Sequence, residues 1–204
     1  MGLLDVILGR TKPAQPDLDR LFGLPGARIT LEASEGLVPS GEAGVCFKPA
    51  AGEEFAAAES EIAALLDLGD GDVPAGDATK VSLSGPADEF GYRWIVCSAP
   101  DFDTLVTRVH VVNTTLQEHG YGPQLLCSVF SFAPAKAAAP VAGGLSQLYL
   151  VYLYKRGSFY PFVPLGGEKR DNEAELRLKA ELAEDLNVEK DLDRWFPLWN
   201  LPIH

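Results

Sequence analysis

Apolar residues recur at spacings of three and four along Phe102, Leu105, Val106, Val109, Val112 and Leu116. That period predicts a helix from Asp101 to His119 with one buried face, capped by Asp101 or Asp103 and stopped by Gly120. The same spacing predicts a helix over Glu53–Leu68, where Phe55, Ile62, Leu65 and Leu66 face inward behind an acidic first turn. A last helix is expected over Asn172–Leu186. A short one is expected over residues 2–9, with Leu4, Ile7 and Leu8 on one face and Leu3 beside them. Another runs from a cap at Asp17 through Phe22, ended by Gly23 and Pro25. Strand patterns occupy Ala27–Ala33, Gly44–Lys48, Thr79–Ser84, Tyr92–Ser98, Gln124–Phe132, Gln147–Tyr154 and Phe159–Val163. Gln147–Tyr154 is apolar on both alternating faces, as a covered central strand should be.

The order is strand–strand–helix, twice, followed by three strands and a helix. Short connections favour antiparallel pairs, so the expected class is α+β: a mainly antiparallel sheet with helices packed on one side. The repeated strand–strand–helix order hints at two similar halves, although no residue-level repeat supports it. Thr11-Lys12-Pro13-Ala14-Gln15-Pro16 interrupts the pattern, which divides the chain into an amphipathic tip with its linker (1–12) and a single domain (17–204). The Gly-, Pro- and Ala-rich stretches at 69–78 and 133–144 read as connections.

The 204 residues are 47% hydrophobic and 23% charged, a globular balance with ample apolar mass for one core. Acids outnumber bases by 29 to 17. A body that acidic repels phosphate backbones, so nucleic acid is not an expected partner. No apolar run is long enough to span a membrane, and the first ten residues lack the layout of a signal peptide. Cys46, Cys97 and Cys127 have strand-like neighbours and no C-x-x-C spacing, which reads as buried thiols in a reducing compartment. The cytoplasm is the expected location.

Little in the chain points to catalysis. His110 and His119 sit nine positions apart and face opposite sides of their helix, so no metal site is expected from them. Gly144-Leu145-Ser146-Gln147-Leu148 lacks the second glycine of a nucleophile elbow, and Asp70-Gly71-Asp72 leads to Val81 where a calcium loop needs glutamate. From Gly166 to Val188 the chain resembles a degraded Nudix box. Glu181, Leu182, Glu184, Asp185 and Val188 match, whereas Asn172, Ala180 and Asn187 replace its first glutamate, its arginine and its late glycine. The alternative this leaves is a magnesium-dependent diphosphate hydrolase using Glu181, Glu184 and Asp185. The simpler reading is a solvated acidic helix, with no catalytic residue, metal or cofactor.

The two ends are more distinctive. Met1-Gly2-Leu3-Leu4-Asp5-Val6-Ile7-Leu8-Gly9-Arg10-Thr11-Lys12 opens the chain, and Glu189-Lys190-Asp191-Leu192-Asp193-Arg194-Trp195-Phe196-Pro197-Leu198-Trp199 closes it. With Val45-Cys46-Phe47-Lys48-Pro49 and Lys169-Arg170-Asp171-Asn172, these segments resemble the PspA-associated protein PspAB family of bacteria and archaea. The resemblance implies association with PspA, a coiled-coil protein that assembles on stressed membranes, or with another protein of the phage-shock system. It brings no catalytic residues. The expected role is a non-enzymatic adaptor of envelope stress, peripheral at the inner face of the cell membrane.

The residues that would carry such binding are Leu3, Leu4, Ile7 and Leu8 at the tip and Trp195, Phe196 and Trp199 in the tail. For the tip, docking on the body, weak lipid contact and insertion into a partner's groove all remain open. Sealing a core edge and forming an exposed patch are both open for the tail. A chaperone-like module holding a helical partner is a further alternative, which an uncovered sheet face would favour.

Overall fold

In the computed structural model, residues 16–48, 64, 80–84, 91–135 and 144–204 are described. They form helices α1 (Leu24–Glu35), α2 (Phe102–Glu118) and α3 (Asn172–Glu181). The strands are β1 (Leu37–Phe47), β2 (Lys80–Leu83), β3 (Arg93–Ser98), β4 (Leu125–Pro134), β5 (Leu148–Leu153), β6 (Ser158–Phe162), β7 (Pro164–Gly166) and β8 (Lys169–Arg170). A six-stranded sheet runs β2-β3-β1-β4-β5-β6 with every neighbouring pair antiparallel, and β7–β8 form a small separate hairpin. The class is α+β, as the hydrophobic pattern predicts. Residues 1–15 and the greater part of the expected Glu53–Leu68 helix lie outside the described residues.

The sheet has two different covers. On one face, Val45, Phe47, Ile95, Phe130, Phe132, Leu148, Leu150 and Tyr152 pack against all three helices: Leu24, Ala27 and Leu31 of α1, Leu105, Val109 and Val112 of α2, and Ala174 and Leu178 of α3. On the other, Cys46, Trp94, Cys127, Val129, Val151, Tyr160 and Phe162 lie beneath Trp195 and Ile203 of the C-terminal tail. Strand alternation sends neighbouring residues to opposite faces, so β5 must be apolar throughout, and it is the covered strand that Gln147–Tyr154 foreshadows.

α2 begins where expected. The Asp101 carboxylate accepts from the Thr104 N–H at 2.8 Å, and Gly120 takes φ +86° just beyond the helix. The expected strand over Ala27–Ala33 is instead part of α1. Its β-branched Ile29 and Thr30 suggest extension, but Leu24, Ala27 and Leu31 are buried at spacings of three and four while Ile29 is 61% exposed. Packing on a helical period overrides local strand preference. The chain therefore opens helix–strand rather than strand–strand, and the first strand–strand–helix unit does not form among the described residues.

Gly23 and Pro25 do not stop the short helix before them either. That helix (Leu18–Gly23) is 3-10 and runs directly into α1, where Pro25 occupies the first turn and its missing N–H costs nothing. β1 starts earlier than Gly44–Lys48 suggests, because the register shift between Pro39 and Ala43 absorbs the proline and Gly41. α3 ends at Glu181, and Leu182–Leu186 continue as turns, with the Leu186 N–H on the Leu182 carbonyl at 2.9 Å.

Candidate functional site

The tail that covers the back of the sheet starts at the edge of β6. There the Phe159 N–H donates to the Asn187 carbonyl at 2.9 Å, and the Glu189 N–H donates to the Phe159 carbonyl at 2.7 Å. These bonds occupy an open strand edge and aim the chain across the sheet. Trp195 then lies stacked on Tyr160, with centroids 5.9 Å apart and planes 21° apart. Its indole N–H donates to the Glu189 carbonyl at 3.2 Å, and Lys179 of α3 sits over its ring at 5.8 Å. The Tyr160 hydroxyl donates to the Phe196 carbonyl at 2.8 Å. Trp199 meets Phe162 edge-on at 5.0 Å, and the His204 N–H reaches the Glu42 carboxylate at 2.8 Å.

The candidate tail residues therefore have three different situations. Trp195 is 6% exposed and part of the core, Trp199 is half-buried, and Phe196 is 60% exposed. Leu192, four residues before Phe196, is also exposed. Leu3, Leu4, Ile7 and Leu8 lie outside the described residues.

Two ion pairs fasten the tail, and neither announces itself in the sequence. Arg170 of β8 donates through Nε to both Glu175 oxygens at 2.9 Å and through Nη1 to the Trp195 carbonyl at 2.6 Å. Glu175 is buried in α3 and also accepts the Val163 N–H at 2.9 Å. Burial raises its pKa above the ordinary carboxylate value, and the bonds to Arg170 and Val163 oppose that rise. The second pair is Arg156–Glu189. Glu189 is buried and also accepts the Ser158 hydroxyl at 2.8 Å and the Asp191 N–H at 3.1 Å. The Arg156 hydrogen bond leads in holding its pKa down at about 2, against desolvation.

The carboxylates of the Nudix-like segment do not converge on a cleft. Glu181 accepts the Ser34 hydroxyl at 2.9 Å, Asp185 accepts the Thr30 hydroxyl at 2.6 Å, and Glu184 points into solvent. Arg177 completes this polar seam with two bonds to Glu35, at 2.9 and 3.2 Å. These residues tie α3 and the turns after it to α1. Among the described residues, no group of three or more His, Cys, Asp or Glu side chains is placed to hold a metal ion. His110 lies 3.4 Å from Asp19 and against the Phe22 ring, and His119 bonds the Thr115 carbonyl one turn back.

The seam requires close approach. A Cβ on Gly23 would stand 2.8 Å from the Asp185 carbonyl oxygen, and one on Gly26 would stand 2.9 Å from its carboxylate. The Asp185 carboxylate can rotate away, whereas the backbone oxygen cannot. Gly23→Ala is therefore expected to destabilise the fold by about 1–3 kcal/mol, and more than Gly26→Ala does. Urea unfolding of the two variants measures the difference, and equal midpoints would remove the close-approach argument.

No described helix is long and apolar enough to cross a membrane. A family model described as PspA associated protein B matches residues 1–203. No curated protein and no solved structure matches the chain.

Proposed function

The chain belongs to the PspA associated protein B family, and from that premise we propose that it is a non-enzymatic adaptor of the phage-shock system. In this reading it binds PspA, or a protein associated with PspA, at the cytoplasmic surface of the membrane. The observation that carries the reading is the family match across essentially the whole chain. The fold is compatible with it. Helices cover one face of the central strands and the tail covers the other, so this reading asks for no contact with an open sheet face.

Leu3, Leu4, Ile7 and Leu8 form the first contact in this proposal, as a short apolar face inserted into a groove between partner helices. Phe196 forms the second. Trp195 and Trp199 belong to the platform: one is buried and the other half-buried, and the Tyr160 hydroxyl beneath Trp195 donates to the Phe196 carbonyl. Direct lipid contact by the tip is at most a supplement, because four apolar side chains give marginal affinity and the net charge of −12 opposes an anionic surface.

The test is co-purification with PspA from the native host under membrane stress, followed by binding of the two purified proteins. Ile7→Asp and removal of residues 1–12 are each expected to weaken binding roughly tenfold or more, with an unchanged unfolding midpoint. Phe196→Ser is expected to weaken it further in combination. Full retention of PspA by folded variants of both segments would overturn the proposed contacts. Absence of PspA from the wild-type preparation would overturn the adaptor reading itself.

A further inference from the structure

Beneath the tail, Cys46 of β1 stands directly opposite Cys127 of β4 in antiparallel register. Both side chains belong to the same buried layer, and both are thiols. Directly opposed residues in an antiparallel pair have Cα atoms about 4.5–5.5 Å apart, inside the range of about 4.4–6.8 Å that a disulfide spans. Their Cβ atoms, about 4.5–5.5 Å apart, need to close slightly to the 3.5–4.5 Å of an S–S bridge. Some slack is available next door: the register shifts immediately after Cys46, where Phe47 pairs with Leu125 and leaves Leu126 as the extra residue of a bulge. Cys97 lies on the helix-covered face of the sheet, and burial pushes its thiol up to about 12.

We propose that Cys46 and Cys127 form a reversible intrachain disulfide, a redox site whose access is controlled by the C-terminal tail. The oxidant is a hydroperoxide. One cysteine gives up its proton and, as thiolate, attacks one peroxide oxygen; the O–O bond breaks, a sulfenic acid forms, and the departing hydroxide takes up the thiol's proton and leaves as water. The second thiol then attacks the sulfenic sulfur, the S–S bond forms, and the sulfenic oxygen leaves as a second water. Two thiols are oxidised by one electron each, and one hydrogen peroxide is reduced to two waters. A dithiol reverses the bond by thiol–disulfide exchange once it reaches the pair.

Access follows from the cover. Trp195 and Ile203 are buried in the same layer as the two thiols, with Leu198 and Trp199 half-buried beside them. Peroxide therefore reaches the pair only when the tail lifts, and the oxidation rate reports local detachment of the tail. The inference is independent of any contact with PspA.

The experiment treats the reduced full-length chain with hydrogen peroxide and maps its peptides without reduction by mass spectrometry. The expected product is one Cys46–Cys127 linked peptide, lighter by two hydrogens and restored by dithiothreitol, with Cys97 unlinked. Cys97→Ala should form the same link at the same rate. Tyr160→Phe deletes only the hydroxyl that donates to the Phe196 carbonyl, and should speed oxidation several-fold while leaving the fold intact. Trp195→Ala, assayed where circular dichroism shows the sheet present, should speed it further. A link that fails to form, that involves Cys97, or that joins two chains would overturn the site. A rate unchanged in both tail variants would overturn its control by the tail.

Discussion

Replacing Trp195 by alanine is expected to lower the unfolding free energy by about 3–5 kcal/mol, whereas Phe196→Ala changes it by no more than about 0.5 kcal/mol. The two aromatics are neighbours in sequence and opposite in situation. Trp195 fills the layer over Tyr160, gives its indole N–H to Glu189 and carries Lys179 above its ring. Truncation leaves a cavity of aromatic size and an unanswered carbonyl at Glu189. The Phe196 side chain is 60% exposed, and what the core uses of that residue is its carbonyl, which alanine keeps. Urea unfolding of both variants decides the matter: similar losses would mean that the tail is not part of the core. The contrast also bears on function. A surface residue whose removal leaves stability unchanged can be tested for partner binding without ambiguity, and Phe196 meets that condition where Trp195 does not.

The class of fold was legible because its strongest signals are periodic. α2 has apolar positions in helical phase, an aspartate cap and a glycine stop, and all three agree. β5 was legible for the opposite reason, since a strand apolar on both faces can only be covered twice. α1 was not, because Ala27–Ala33 offers β-branched residues and a short alternation, and its burial against the sheet is a tertiary fact. The tail was half legible. Its aromatics mark it as important, but the features that separate a buried Trp195 from an exposed Phe196 are Tyr160, Arg170 and Glu189, which are scattered along the chain. The same holds for the Nudix-like carboxylates. Their spacing is visible in sequence, yet Thr30 and Ser34, whose hydroxyls donate to Asp185 and Glu181 across the seam with α1, lie about 150 residues away.

Replacing Arg170 by methionine should cost about 3–5 kcal/mol at neutral pH, and the loss should shrink on acidification. Arg170 sits between Glu175, the Phe162 ring at 5.3 Å and the Trp195 carbonyl, so its removal strands a buried carboxylate and releases the tail together. The pH dependence follows from the direction of the Glu175 shift. Its pKa in the folded protein is raised, chiefly by burial, so the folded state holds the proton more tightly than the unfolded chain. The charged form therefore burdens the fold as pH rises through that raised value, and Arg170 limits the burden. Without the guanidinium the burden grows at neutral pH, but it vanishes once Glu175 is protonated. Glu189 behaves in the opposite sense. Its pKa is held at about 2, below the ordinary glutamate value, so its contribution is complete above that ordinary value and disappears as pH falls toward 2. Arg156→Met should accordingly show its full deficit at neutral pH and lose it only in stronger acid. The deficit should also be smaller, because Arg156 is 41% exposed and water screens the pair. Guanidinium unfolding of both variants against pH separates them: the Arg170→Met gap closes first. If both gaps close together, the tail is held by charge in general rather than by one pair burdened by burial and another protected by its hydrogen bonds.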